Sequence, residues 1–264
     1  AELIDMSKHK GEHPRFGATD VCPFIPIANA SMEDCIACAK ELGARVGKEL
    51  SIPVYLYENA ASAEHRRNLA SVRAGEYEGI KDKIKLADWQ PDFGPAEWNV
   101  KSGNVAIGAR AILIAYNVNL NTTSVRRANS VAFDVREAGR KVKNELGQEV
   151  VQMGTCKSVK GIGWFIQEYG LAQVSMNLTN IHETSIHKAF DECVKSAFHR
   201  GMRVTGSELI GLIPLQSMLD AGKYFLLKQQ RSTGVSESEL IRIAVKSMGL
   251  DELTPFEPRK RIIE

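Results

Sequence analysis

The chain has 264 residues, enough for one large domain or for two of about 100–150 residues each, with no need of disulfide staples to hold a core. Hydrophobic content of 44% and charged content of 25% are ordinary globular values. A net charge of +2 gives no field that would gather nucleic acid or a membrane surface, and no apolar stretch approaches the ~18 residues that span a bilayer.

The first half alternates strand and helix. Glu2-Leu3-Ile4-Asp5 reads as the tail of a helix already under way, and the chain opens on Ala1, so a preceding segment is expected. Residues 16–27 form the first strand candidate. Pro23 and Pro26 cannot donate to a ladder, so this strand is expected either to lie at a sheet edge or to end early. Ser31-Met32-Glu33-Asp34 matches a capping box, and the helix it opens runs to about Leu50, with Cys35, Ala39, Leu42 and Val46 at helical spacing. Pro53 stops it. Residues 54–57 read as a short buried strand, 63–74 as a helix, and 77–89 as another that carries Lys81, Lys83 and Lys85. Pro91-Asp92-Phe93-Gly94-Pro95 opens a loop that continues through Gly103 and Gly108 and links the two halves.

Residues 110–120 form a strand whose Asn117 and Asn119 point the same way, either towards a ligand or towards solvent. Thr122 or Thr123 caps a helix to about Gly139, and residues 139–157 are a polar, basic connection. Residues 160–167 and 171–180 make a hairpin, 183–200 a helix and 203–213 a strand. A helix starts at Pro214, and a last one covers 236–248 and ends at Gly249. The order strand, helix, strand, strand, helix, strand is that of a ferredoxin-like unit. The first half fits a second such unit if its opening strands lie upstream. The fold class expected is therefore α/β (α+β): two ferredoxin-like subdomains, each a mixed or antiparallel sheet covered by helices. The first, residues 1–109, is incomplete and includes the connecting loop; the second is residues 110–264.

The five cysteines are odd in number. Cys35 and Cys38 form a C-x-x-C, but on the apolar side of a helix and with no second pair, so buried thiols are expected in a reducing, cytoplasmic setting, with no metal. His182 and His187 are off the i, i+4 spacing of a helical metal site. Chemistry concentrates instead in Lys8-His9-Lys10-Gly11-Glu12-His13-Pro14-Arg15. Histidine takes and gives protons near neutral pH, and Gly11 and Pro14 set the backbone around it. A solvated basic turn is the plain alternative.

This stretch, followed by Asp20-Val21-Cys22-Pro23-Phe24-Ile25-Pro26, resembles the glutamate formimidoyltransferase family, the formiminotransferase domain that in animals is fused to a cyclodeaminase. The resemblance extends through Arg73-Ala74-Gly75-Glu76-Tyr77-Glu78, Pro91-Asp92-Phe93-Gly94-Pro95, Gly161-Ile162-Gly163-Trp164, Leu171-Ala172-Gln173-Val174-Ser175, Gly206-Ser207-Glu208-Leu209-Ile210-Gly211-Leu212-Ile213-Pro214 and Arg261-Ile262-Ile263-Glu264. The family's opening segment, which carries a carboxylate that assists catalysis, has no counterpart in these 264 residues.

The resemblance implies transfer of a formimidoyl group between N-formimidoyl-L-glutamate and tetrahydrofolate, in histidine breakdown, by a cytoplasmic homodimer. Tetrahydrofolate is the co-substrate and no metal is needed. His13 matches the catalytic acid/base, with His9 as fallback. Arg15 and Arg73 suit the carboxylates of glutamate, and Glu12 and Asp20 suit an amidinium. The folate contact falls on Gly94, Pro95, Trp98, Lys101 and Gly103. Asn117 and Asn119 are added as further donors, and Lys81, Lys83, Lys85 and Lys101 as attractors of the folate tail or as a solvated face. The cleft is expected between the subdomains. A formyl transferase using N-formylglutamate, or a non-catalytic folate-binding homologue, remains open.

Overall fold

The chain divides into two compact units, Ala1–Ala111 and Ile112–Glu264. The computed structural model describes residues 3–10 and 15–263. Residues 3–10 are not the end of a helix. They make a turn in which the Asp5 carbonyl accepts from the Lys8 and His9 amides, and the Met6 N–H reaches the Lys101 carbonyl at 2.9 Å.

In the first unit, β1 (Asp20–Phe24), β2 (Val54–Glu58) and β3 (Val105–Ala109) form a sheet in the order β1-β3-β2, parallel throughout its described strands. Pro23 lies on the edge strand β1, where its missing N–H costs no ladder bond. The central strand β3 falls inside the stretch expected to be loop. It is buried at all five positions, so it lacks the alternation that marks a half-exposed strand. Its Gly108 lies under Tyr57, where a Cβ would meet the ring at 2.6 Å.

Helix α1 (Met32–Leu50) packs on one face of this sheet. Ser31 caps it by accepting from the Asp34 N–H, and Asp34 accepts back from the Ser31 N–H, the capping box read from sequence. Cys35, Ala39, Val54, Leu56, Val105 and Ile107 form the core on that side. The other face carries Phe16, Tyr55, Tyr57, Val72, Tyr77 and Ile80.

The helix expected over 63–74 is broken into a 3₁₀ turn (Glu64–Arg66) and a single turn, α2 (Leu69–Val72), capped by Asn68. The break serves Arg66. Its buried guanidinium bonds the equally buried Asp92 at 3.0 Å and the carbonyls of Asp88 and Gln90 at 2.8 and 2.7 Å. Helix α3 (Glu76–Lys83) follows Gly75, which is left-handed. A 3₁₀ turn over Ala87–Trp89 ends the segment.

In the second unit, β4 (Ile114–Leu120), α4 (Val125–Val135), β7 (Val159–Ile166), β8 (Leu171–Leu178), α5 (Ile186–His199) and β9 (Val204–Ile210) follow the β-α-β-β-α-β order. The sheet runs β7-β8-β4-β9, antiparallel at every contact. The connection over 139–157 is itself a hairpin, of β5 (Arg140–Lys143) and β6 (Glu149–Gln152), whose turn is tied by Asn144 to the Leu146 and Gln148 amides. Its outer residues are polar or exposed, so no hydrophobic pattern announces it. The short parallel pair of β10 (Ile213–Pro214) and β11 (Ile262–Ile263) flanks the helices α6 (Leu215–Lys228), α7 (Glu237–Met248) and α8 (Pro258–Arg261). Helices and sheet share a core of Tyr116, Val118, Leu120, Val131, Val174, Met176 and Ile186. Among the described residues, no helix is long and apolar enough to cross a membrane.

Candidate functional site

Gly11, Glu12, His13 and Pro14 lie outside the described residues, so the expected acid/base His13 and its neighbour Glu12 have no geometry here. The chain from Arg15 onward is built tightly. The Arg15 carbonyl accepts from the Tyr77 amide at 2.8 Å, which anchors the exit of this stretch to the first turn of α3. The Arg15 fork grips Glu78 at 2.6 and 3.2 Å, donates to the His9 carbonyl through Nε and Nη2, and lies over the Tyr77 ring. Asp20 takes a left-handed backbone, φ 62°. One of its carboxylate oxygens accepts from the Phe16 N–H at 2.7 Å and the other from Arg73 at 2.8 Å. The four charged residues expected to meet substrate thus include two that pair with each other, Asp20 with Arg73.

The expected folate stretch meets the same neighbourhood. Trp98 packs on Tyr77 with ring centroids 5.6 Å apart, and Lys81 Nζ stands 5.7 Å from the Trp98 centroid. Gly103, φ 65°, forms an antiparallel bridge with Gly17. Gly94, φ 85°, sits against the Ile52 carbonyl, where a Cβ would come within 2.5 Å; Pro95 follows it, half-buried. Gly94 therefore has a packing reason to be glycine. Lys101 is exposed, and its carbonyl serves Met6.

Among the described residues, the buried indole N–H of Trp98 and the whole side-chain amide of Asn104, a residue only 1% exposed, have no hydrogen-bond partner. Asn104 donates its backbone N–H to Phe16. Such unpaired groups are uncommon in folded proteins and gather where ligands or water complete the bonding. The sequence pattern hides Asn104, because its neighbourhood reads as loop. Its cue is a polar residue entering a fully apolar strand.

Lys83 is not part of a solvated face. Its ammonium caps α2 by donating to the carbonyls of Ser71, Val72 and Ala74 at 2.8, 2.8 and 3.1 Å, and stands 3.7 Å from the Trp89 centroid. Burial, helped by the charge of Arg66, pulls its pKa down to about 8.

In the second unit, Asn117 and Asn119 are buried, so neither faces solvent. They lie on two rungs that cross the sheet. Gly206, Asn119, Gln173 and Trp164 make one; Glu208, Asn117, Ser175 and Ile162 make the other. The Trp164 indole donates to Gln173 Oε1 at 3.0 Å. Gln173 Nε2 donates to Asn119 Oδ1 at 2.8 Å and to Glu208 at 3.2 Å. Asn119 Nδ2 donates to Glu252 at 2.6 Å, and Asn117 Nδ2 to Glu208 at 3.3 Å. The Tyr169 hydroxyl also bonds Glu208, at 3.1 Å, and the Glu208 charge raises the Tyr169 phenol above its ordinary value. Gly206 makes room for this arrangement, since a Cβ there would strike the Glu252 carboxylate at 2.3 Å. Tyr169 and Glu252 also line a cavity of about 590 Å³ with Asn121, Thr122 and Thr205. Among the described residues, no group of three His, Cys, Asp or Glu is placed to hold a metal ion.

The two units, one with a parallel sheet and one ferredoxin-like, each carry a polar cluster on the sheet or at its rim, and together define an α/β protein of two sheet-plus-helix subdomains. The family models agree with that class: the formiminotransferase domain, N-terminal subdomain, matches residues 1–110, and the formiminotransferase domain matches residues 115–264. The chain belongs to the formiminotransferase-domain family. It is 47% identical to a formimidoyltransferase-cyclodeaminase of Dictyostelium discoideum over 263 residues, all of this chain and 47% of that protein. Against a glutamate formimidoyltransferase of Streptococcus pyogenes it is 40% identical over 226 residues, 86% of this chain and 71% of that protein. A glutamate formimidoyltransferase of Thermoplasma acidophilum is 43% identical over 228 residues, again 86% of this chain and 70% of that protein. The chain spans about half the length of the cyclodeaminase-fused relatives.

Proposed function

We propose that this protein transfers the formimidoyl group between N-formimidoyl-L-glutamate and tetrahydrofolate, giving 5-formimidoyltetrahydrofolate and L-glutamate, as a step of histidine degradation. The observation that carries the reading is the match of both subdomain models, end to end, together with relatives named glutamate formimidoyltransferase. The reaction needs one group that removes a proton from the attacking folate nitrogen and returns it to the departing glutamate nitrogen. His13 is assigned that role. The carbon under attack belongs to an amidinium that loses positive charge as the adduct forms, so the site needs no oxyanion hole.

Arg15 and Arg73 are assigned to the substrate carboxylates, with Glu12 and Asp20 beside the amidinium. Trp98, Lys101 and the glycine-rich turns at Gly94-Pro95 and Gly103 are assigned to the folate. A dimer in the cytoplasm, with residues 1–109 and 110–264 as its subdomains, completes the reading.

The test is His13→Ala assayed with N-formimidoyl-L-glutamate and, separately, N-formyl-L-glutamate. Transfer from the formimidoyl donor is expected to fall by at least about 100-fold, with tetrahydrofolate binding retained. Near wild-type transfer by His13→Ala removes the assigned role, and preference for the formyl donor replaces the reaction.

A further inference from the structure

Glu208 is the exception among the shielded carboxylates of the second unit. Asp134, Asp191, Glu192, Glu239 and Asp251 each lie against an arginine or a lysine. Glu208 is half-buried, as most of these are, yet among the described residues its hydrogen-bond partners include no cation. Three neutral donors hold it instead: Asn117 Nδ2 and Gln173 Nε2 on Oε2, and the Tyr169 hydroxyl on Oε1. Neutral donors orient a carboxylate without cancelling its charge.

The direction of the network is fixed. Trp164 can only donate, which makes the Gln173 oxygen its acceptor and turns the Gln173 amide nitrogen towards Asn119 and Glu208. Asn119 in turn donates to Glu252. Each of these bonds therefore runs towards a carboxylate, and the chain of bonds ends in acceptors. A carboxylate offers about four lone-pair positions, and three on Glu208 are filled. A partner for it must bring an N–H donor, and positive charge strengthens the match.

We infer that Glu208 is the docking carboxylate for one N–H of a planar N–C–N group, accepted at the position still open on Oε1. This inference rests on the transferase reading, which supplies two groups of that chemistry: the amidinium of the N-formimidoyl donor, and the 2-amino-4-oxo edge of the pterin. The Gly206-Ser207-Glu208 run then has a use for each residue. Gly206 admits the Glu252 carboxylate, Ser207 ties the strand to the Met248 carbonyl at 2.7 Å, and Glu208 presents the charge.

The test compares wild type, Glu208→Gln and Glu208→Asp. Equilibrium binding of tetrahydrofolate is measured under anaerobic conditions, KM is measured for N-formimidoyl-L-glutamate, and thermal unfolding checks the fold. Glu208→Gln is expected to weaken one of the two ligands by roughly tenfold or more. A rise in donor KM with unchanged folate binding assigns the amidinium, and weaker folate binding assigns the pterin. Glu208→Asp keeps the charge but withdraws it by one methylene, shifts the same ligand by less, and decides the matter if Glu208→Gln does not fold. Folded variants within twofold of wild type on both ligands overturn the assignment while leaving the transferase reading intact. A wild-type protein that binds neither compound overturns both.

Discussion

Gly103 and Gly17 face each other so closely that a Cβ on Gly103 would stand 2.7 Å from the Gly17 Cα, and one on Gly17 would stand 1.9 Å from the Asn104 carbonyl oxygen. Gly103 is also left-handed, at φ 65°, a conformation other residues resist. This contact holds the exit of the stretch that contains His13 against the start of β3. Gly103→Ala must therefore move backbone. The expected cost is roughly 2–4 kcal/mol, from the unfavourable φ and the overpacking together, read as a lower urea midpoint at unchanged slope. A midpoint equal to that of wild type would mean the two strands of chain separate without strain.

Arg15 separates two roles that look alike in a static structure. Its fork now holds Glu78 and the His9 carbonyl. If Arg15 takes a carboxylate of glutamate, Arg15→Lys, which keeps the charge but loses the bidentate fork, raises KM for N-formimidoyl-L-glutamate by roughly tenfold, while Glu78→Gln changes it by less than about threefold. That is the expected pattern. Equal effects of the two substitutions would show that Arg15 acts only by anchoring the chain to α3.

Lys83 ties stability to pH. Burial pulls its pKa down to about 8 in the folded chain, against about 10.4 for an exposed lysine. Between those values the unfolded chain holds more protons than the folded one, so stability rises with pH across that window and is lowest below about pH 8. Lys83→Met lacks this rise and also loses the three carbonyl bonds at the end of α2. Urea midpoints measured at about pH 7 and about pH 10 are expected to increase more for wild type than for Lys83→Met. Parallel changes would place the Lys83 ammonium in solvent.

Much of the local structure is legible in the residues themselves. The capping box at Ser31 and Asp34, the Ser236 and Gly249 ends of α7 and the hairpin at Glu168-Tyr169-Gly170 each rest on contacts within a few positions of chain. The β-α-β-β-α-β order follows from them, and the stretch around His13 stands out through its resemblance to a known family. Where the deciding contact is distant, local reading fails. Val105–Ala109 looks like loop because a central strand buried on both faces shows no alternation. The helix expected over 63–74 breaks because Arg66 has a buried carboxylate, Asp92, to reach. Lys83 looks solvated because the carbonyls it caps belong to another turn.

The sequence by itself determined which residue types were available for the chemistry, and in what order they come. It could not determine which of them are already committed to one another. Only the tertiary structure pairs Asp20 with Arg73, buries Asn117 and Asn119, and gives Glu208, among the described residues, hydrogen-bond partners that include no cation. The reason is strand register. Gln173 and Glu208, 35 positions apart in the chain, come within 3.2 Å because β8 and β9 both pair with β4, and no local pattern records which rung each residue will occupy.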